Sequence, residues 1–193
     1  MLATSFASEA GLVALFGPSG AGKTSVLEMI AGLVKPDRGR IAISGRVLFD
    51  SERGIDLSPA ERACGYIPQD GLLFPHLDVR ANLLFGTKRA EQGGFAMALE
   101  EAVGFLGIGD LLGRMPRTLS GGEARRVAIG RALLSGPDVL LMDEPLSSLD
   151  MARREEILQL VARTHAELGM PVIYVSHDRA EIERLGCEVV AVG

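Results

Sequence analysis

Lys23 and Thr24 close a run, Gly17-Pro18-Ser19-Gly20-Ala21-Gly22-Lys23-Thr24, that fits G-x-x-x-x-G-K-[ST] between an apolar segment and a helical one. Those residue types in that order suit a polyphosphate. Glycines let backbone N–H groups turn toward phosphate oxygens, and the N-terminus of the following helix adds a favourable dipole. A lysine there reaches the β- and γ-phosphates, and a threonine hydroxyl can hold Mg²⁺. An ordinary glycine-rich turn satisfies fewer of these positions.

A second constellation is Val139-Leu140-Leu141-Met142-Asp143-Glu144, an apolar run ending in two acids. Paired carboxylates beside buried chain are costly unless a cation meets them. Asp143 is therefore expected to hold Mg²⁺, directly or through water. Glu144 is placed to take a proton from an attacking water. Alone, such a pair reads as a solvated strand end; beside a phosphate loop it reads as a metal carboxylate and a general base.

Four further pieces stand beside these. Leu119-Ser120-Gly121-Gly122-Glu123 combines a capping box with two glycines that capping does not need and that weaken a helix, yet leave N–H groups open to an anion. Gln69 follows a short strand-like stretch. Ser147-Ser148-Leu149-Asp150 trails Glu144, and Ser176-His177-Asp178 ends another apolar run.

The elements that must position these residues alternate strand and helix, which predicts an α/β fold with a mainly parallel sheet. Strands are predicted at Leu12 to Phe16, Arg40 to Phe49 with a turn at Ser44-Gly45, Gly65 to Ile67, Val139 to Met142, Val172 to Val175 and Val189 to Val192. Helices are predicted from about Lys23 to Gly32, after the Ser58-Pro59-Ala60-Glu61 capping box, after Glu123 through Arg131, and along Ile157, Leu160, Val161 and Leu168 up to Gly169. From about Leu72 to Met115 β-branched residues become rare, and Leu99, Ala102, Val103 and Leu106 recur at helical spacing, which predicts a helical insertion. The division expected is a core of residues 1–71 and 128–193 with a helical subdomain of 72–127.

Twenty basic against 25 acidic residues, net −5, give no support to a nucleic-acid partner. No apolar run reaches the roughly 20 residues of a membrane span, and Met1 to Ala10 lacks the basic start of a secretory signal. Cys64 and Cys187 lie far apart and are expected to be small buried residues in a reducing compartment.

Taken in order, the phosphate loop, Gln69, Leu119 to Glu123, Asp143-Glu144, Asp150 and His177 resemble the series of the ABC ATPase family over nearly the whole chain. The resemblance implies a P-loop NTPase fold with a RecA-like core and an inserted helical subdomain, ATP and Mg²⁺ as ligands, and ATP hydrolysis. ATP would lie on Gly17 to Thr24 and Ser25 of one chain. Ser120, Gly121, Gly122 and Glu123 of a second chain would cap it in a head-to-tail homodimer formed in the ATP state. Thr24, Gln69 and Asp143 would serve the metal, Glu144, His177 and Gln69 the chemistry, and Asp150 would cross the dimer interface.

The implied place is the cytoplasmic face of the inner membrane, as a peripheral subunit on integral-membrane permease subunits. A periplasmic solute-binding protein would be an indirect partner. Gly45 to Asp50, Gly54 to Leu57, Leu73 to Leu77 with Val79 to Leu83, and Ser120 to Leu134 together look like the ATP-binding subunit of molybdate importers. Leu72 to Phe74 is expected in the helical-subdomain core. A soluble ABC ATPase acting on DNA or ribosomes, another transported solute, and a non-catalytic nucleotide-binding module stay open as alternatives. Expected departures from the pattern are an N-terminus too close to Gly17 for the usual adenine-stacking aromatic, with Phe6 expected in a core strand, and no C-terminal anion-binding domain; Ile67-Pro68 before Gln69 and Arg125 in place of a frequent Gln depart from it as well.

Overall fold

A computed structural model describes residues 4–70, 73–87 and 95–192. Met1 to Ala3, Gly71, Leu72 and Gly193 lie outside them, and with them the boundary expected at 71/72. The element order is β1 (Leu12–Phe16), α1 (Lys23–Ala31), β2 (Arg40–Ile43), β3 (Arg46–Asp50), β4 (Ile55–Asp56), α2 (Pro59–Arg62) and β5 (Cys64–Ile67). Then come α3 (Val79–Leu84), α4 (Leu99–Leu106), two 3₁₀ turns, α5 (Gly121–Leu134), β6 (Val139–Asp143), α6 (Met151–Leu168), β7 (Val172–Ser176), α7 (Arg179–Leu185) and β8 (Glu188–Ala191).

Five strands form an all-parallel sheet in the order β5-β6-β7-β1-β8, and β2-β3-β4 form a separate antiparallel sheet. The stretch predicted at Arg40 to Phe49 is thus a hairpin outside the main sheet. Ser44 and Gly45 both take positive φ, 49° and 79°, as a two-residue turn matched to strand twist requires.

Side chains of the parallel strands alternate between two cores. Val139 and Leu141 of β6, with Ile173 and Val175 of β7, pack against Val26, Leu27 and Ile30 of α1. Leu140 and Met142, with Val172 and Tyr174, face Val127, Ile129 and Leu133 of α5 and Ile157 and Val161 of α6. A sheet covered on both faces needs apolar side chains at every position, which is why β6 and β7 read as unbroken runs.

In the insertion, Ala102 and Leu106 of α4 are buried and Leu99 and Val103 pack against them, on the face the spacing predicted. Buried Asn82 ties down the preceding loop: its amide donates to the carbonyls of Phe74, Leu77 and Asp78, and its Oδ1 accepts from the Phe74 N–H. α5 runs unbroken across 127/128. Two expectations are corrected. Residues 4–10 form irregular chain, so Phe6 lies in no strand and is 36% exposed. Cys64 and Cys187 are free but half-buried, one at a sheet edge and the other in the turn before β8.

Candidate nucleotide site

Parallel strands deliver the residues that follow them to one edge, and their order arranges the site. Gln69 follows β5, Asp143 ends β6 with Glu144 next, His177 follows β7 and Gly17 follows β1. All stand at carboxyl ends, where open α/β sheets bind ligands.

The loop from Gly17 to Gly22 wraps over the start of α1. A Cβ at Gly17 would stand 2.1 Å from the carbonyl oxygen of Val192, so the first glycine is demanded by the neighbouring backbone. Gly20 and Gly22 take φ of 82° and 90°, and space around Gly20 is open. Pro18, Ser19 and Gly20 are exposed, Ala21 and Ser25 are half-buried, and Gly22 caps α1 with no side chain. No acidic residue occupies the first turn of α1, so its N–H groups and dipole stay available to an anion. Lys23 is buried, and its ammonium donates to the carbonyls of Gly17 and Pro18 at 2.8 Å each. The loop is thereby curled around its own cation.

Thr24 Oγ1 donates to Asp143 Oδ1 at 3.2 Å. Burial pushes the Asp143 carboxyl above the ordinary carboxylate value; the Thr24 hydrogen bond opposes the shift and the Glu144 charge adds to it. Such a carboxylate gains most from a cation. Oxygens on adjacent corners of an octahedral ion at about 2.1 Å stand about 3.0 Å apart, so the Thr24–Asp143 separation fits Mg²⁺. Among the described residues no group of three or more His, Cys, Asp or Glu converges as a metal cage. One carboxylate, one hydroxyl and ligand phosphates are the donor set Mg²⁺ prefers.

Glu144 sits at φ 42°, a left-handed conformation unusual for a glutamate, held by its N–H donating to Val175 O at 3.1 Å. Its Oε1 meets His177 Nδ1 at 3.1 Å. His177 is exposed, on a turn fixed by the Asp178 N–H donating to Ser176 Oγ at 2.9 Å. Strain of this kind, of order 1–3 kcal/mol, is stored where geometry matters.

The remaining predicted residues gather elsewhere. Ser120 caps α5, accepting from the Glu123 N–H, while its own N–H donates to Glu123 Oε2 at 2.7 Å. Gly121 and Gly122 pack beside Leu149 and Arg153. Asp150 caps α6, accepting from the Arg153 N–H at 3.0 Å. Among the described residues no hydrogen bond joins Ser120 to Glu123, or Asp150, to the phosphate loop of the same chain. Gln69 is exposed at the end of its strand, beside Gly121, Arg125 and Leu149 around a cleft of about 420 Å³. One chain therefore unites the loop, Asp143, Glu144 and His177, and carries the Ser120 group as a separate surface.

Sequence reasoning missed three tethers. Arg154 donates to Leu149 O at 2.9 Å and faces Asp178 and Glu181, joining the loop before α6 to the turn after β7. Buried Glu181 accepts from Tyr174 and Ser176 beneath His177. Arg125 reaches the carbonyls of Pro68 and Gln69. An arginine inside an apolar helix face was the one visible signal.

The ABC transporter family profile matches residues 4–147. The molybdenum import ATP-binding protein ModC of Rhodospirillum rubrum is 51% identical over 191 residues, 99% of this chain and 52% of that protein. Its counterpart in Brucella suis is 52% identical over 185 residues, 96% of this chain and 51% of that protein. The chain thus spans about half the length of these curated relatives. Among solved structures, the dimeric bacterial ABC transporter cassette MJ0796 matches with TM-score 0.76 and 29% identity, over 97% of this chain and 83% of that one. Its post-hydrolysis state bound to ADP and Pi matches with TM-score 0.75 and 28% identity over the same shares. The five-stranded parallel sheet and its helices match ATP-binding cassettes, and the chain belongs to the ABC transporter family.

Proposed function

We propose that this chain binds Mg·ATP, hydrolyses it in sites shared by two copies, and so drives molybdate uptake through a membrane permease. The observation that carries the proposal is the approach of Thr24 to Asp143 at 3.2 Å beside the Glu144–His177 pair at 3.1 Å. Lys23 would exchange the carbonyls of Gly17 and Pro18 for phosphate oxygens, opening the loop to the backbone N–H groups of Gly20 to Thr24. Thr24 and Asp143 would hold Mg²⁺, with Gln69 reaching it from the neighbouring strand end; the ion neutralises charge on the phosphates. Glu144 would accept a proton from water, and His177 would steady that carboxylate and face the terminal phosphate.

The separation of Ser120 to Glu123 from the loop of its own chain supports a head-to-tail pair. A second copy would bring those N–H groups over the phosphates, exclude water and stabilise developing charge. Asp150 would lie on that interface. Core residues 1–71 and 128–193 would carry the loop, and 72–127 would carry the insertion facing the permease. Leu84 and Phe85, 41% and 54% exposed, offer an apolar surface there. No helix among the described residues is long and apolar enough to cross a membrane, which accords with a peripheral subunit on the cytoplasmic face. Molybdate follows from the kinship with molybdenum importers, whose solute-binding partner would act indirectly through the permease.

The test is phosphate release from Mg·ATP as a function of chain concentration. Sites built from two copies give turnover per chain that rises with concentration and then saturates; a flat, concentration-independent turnover would overturn the shared site. Uptake of labelled molybdate against sulfate in cells carrying Glu144→Gln tests the cargo.

A further inference from the structure

Arg125 is only 6% exposed, in the second turn of α5, where a charged side chain is costly unless fully partnered. Its partners are unusual. One guanidinium nitrogen donates to Pro68 O at 2.9 Å and the other to Gln69 O at 2.5 Å, 57 and 56 residues away in sequence. Among the described residues these are the only hydrogen bonds joining the turn at Pro68 to Asp70 to α5. The rest of that boundary is the open cleft beside Gln69, Gly121 and Leu149. A planar fork donating to consecutive carbonyls fixes both position and orientation of a turn, which an ammonium or a single amide cannot do. Burial works against the Arg125 charge, while Asp70 nearby favours it.

We infer that Arg125 is a positioning residue that locks the Gln69 turn to the N-terminal end of α5, so that Gln69 and Ser120 of one chain shift as a single body. The inference rests on the shared-site reading above. In that arrangement Gln69 serves the ATP on its own chain and Ser120 serves the ATP on the facing chain. A rigid link between them couples the two sites of the pair: Gln69 engaging Mg²⁺ in one site sets Ser120 in the other.

The experiment compares wild-type chain with Arg125→Lys and Arg125→Met, following the ATP and Mg²⁺ dependence of hydrolysis together with thermal melts. Folded variants are expected to keep KM for ATP within about 2-fold, lose about 10-fold in kcat, and lower the Hill coefficient for ATP toward 1. Purely structural damage would lower the melting temperature without changing the Hill coefficient of the folded fraction. Unchanged kcat and Hill coefficient in a folded variant would overturn the inference. Should both variants fail to fold, hydrogen exchange in the wild-type chain decides: ATP must change protection at Gln69-Asp70 and at Gly121-Gly122 in parallel, and independent responses sink the link. Absence of ATP hydrolysis by the wild-type chain would instead count against the shared-site reading itself.

Discussion

The Glu144 carboxylate and the His177 imidazole meet at 3.1 Å across the ends of β6 and β7, and the glutamate holds a left-handed backbone to do so. Two strand ends bring the pair together only because β6 and β7 are neighbours in register, with Asp143 opposite Val175. The pair is expected to act as a unit. Glu144→Gln keeps the shape and the backbone strain but removes the base, so hydrolysis should fall by at least about 10²-fold while ATP still drives dimer formation. Size exclusion with ATP checks it: monomer alone would count against Glu144 as the base. His177→Ala should cost a comparable factor, and the double variant little more than either, since groups acting together are not additive.

Lys23→Ala removes the cation around which the phosphate loop curls. ATP affinity should fall by about 100-fold, the loss expected for a pair of charge-assisted contacts. Titration of a fluorescent nucleotide measures it, and an unchanged dissociation constant would defeat the phosphate-loop assignment.

Asp143 presents a conflict between stability and function. Its folded pKa is raised above the unfolded 3.8 by burial, so ionisation favours unfolding. The protonated carboxyl contributes stability that is present below pH 3.8 and lost as pH rises through the folded value. Asp143→Asn can keep a hydrogen bond to Thr24 without the charge. At neutral pH without ligand it should melt about 2–4 °C above wild type, as about 1 kcal/mol would give in a domain of this size. The gap should close as pH falls toward 3.8, and Mg·ATP should stabilise wild type more than the variant. A variant that melts lower than wild type at neutral pH contradicts the account.

Much of this was legible in the chain because the signals are local. The apolar run of Val139 to Met142 followed by two acids marks a buried strand and its carboxyl end; glycine spacing before Lys23 marks the loop; Ser58 and Ser120 mark helix starts. What stayed hidden depends on contacts far apart in sequence. The Glu144–His177 pairing needs the order of strands, which no short window encodes. Arg62, which no sequence signal singles out after the Ser58 to Glu61 capping box, is almost fully buried and donates to Met29, Ile30 and Leu57 carbonyls and to Asp56. Arg125 reads locally as a helix residue, and its role lies in a turn 56 residues back. Phe6 reads as strand by type, yet no neighbouring strand takes it up.

Arg62 gives a stability prediction. Its guanidinium donates to the Met29 and Ile30 carbonyls near the end of α1 and ties them to β4, so Arg62→Met leaves these acceptors only the long contacts from Gly32 N–H at 3.4 Å and Cys64 Sγ at 3.9 Å. The cost should be about 3 kcal/mol, lowering the melting temperature by about 10 °C. Because α1 carries Lys23 and Thr24, ATP should recover part of the loss by mass action. A melt within 2 °C of wild type, about 1 kcal/mol or less on the same scale, removes Arg62 from the supports of the loop.

The shared site makes a prediction that a self-contained site cannot. Ser120→Arg spoils the surface offered to a partner but leaves that chain's own phosphate loop intact; Lys23→Ala does the reverse. Each variant alone should be inactive. An equal mixture forms mixed pairs in half the cases, each with one intact site, joining the loop of the Ser120→Arg chain to the α5 end of the Lys23→Ala chain. Specific activity should therefore recover to at most about a quarter of wild type, the ceiling that random pairing into two-fold dimers sets and that coupling between the two sites lowers. The recovery also controls for folding, since Ser120 caps α5 and its loss costs about 1 kcal/mol: a chain unfolded by that loss could donate no loop. Activity that stays at zero across mixing ratios, with both variants folded by melting, means the Ser120 surface does not complete a neighbour's site.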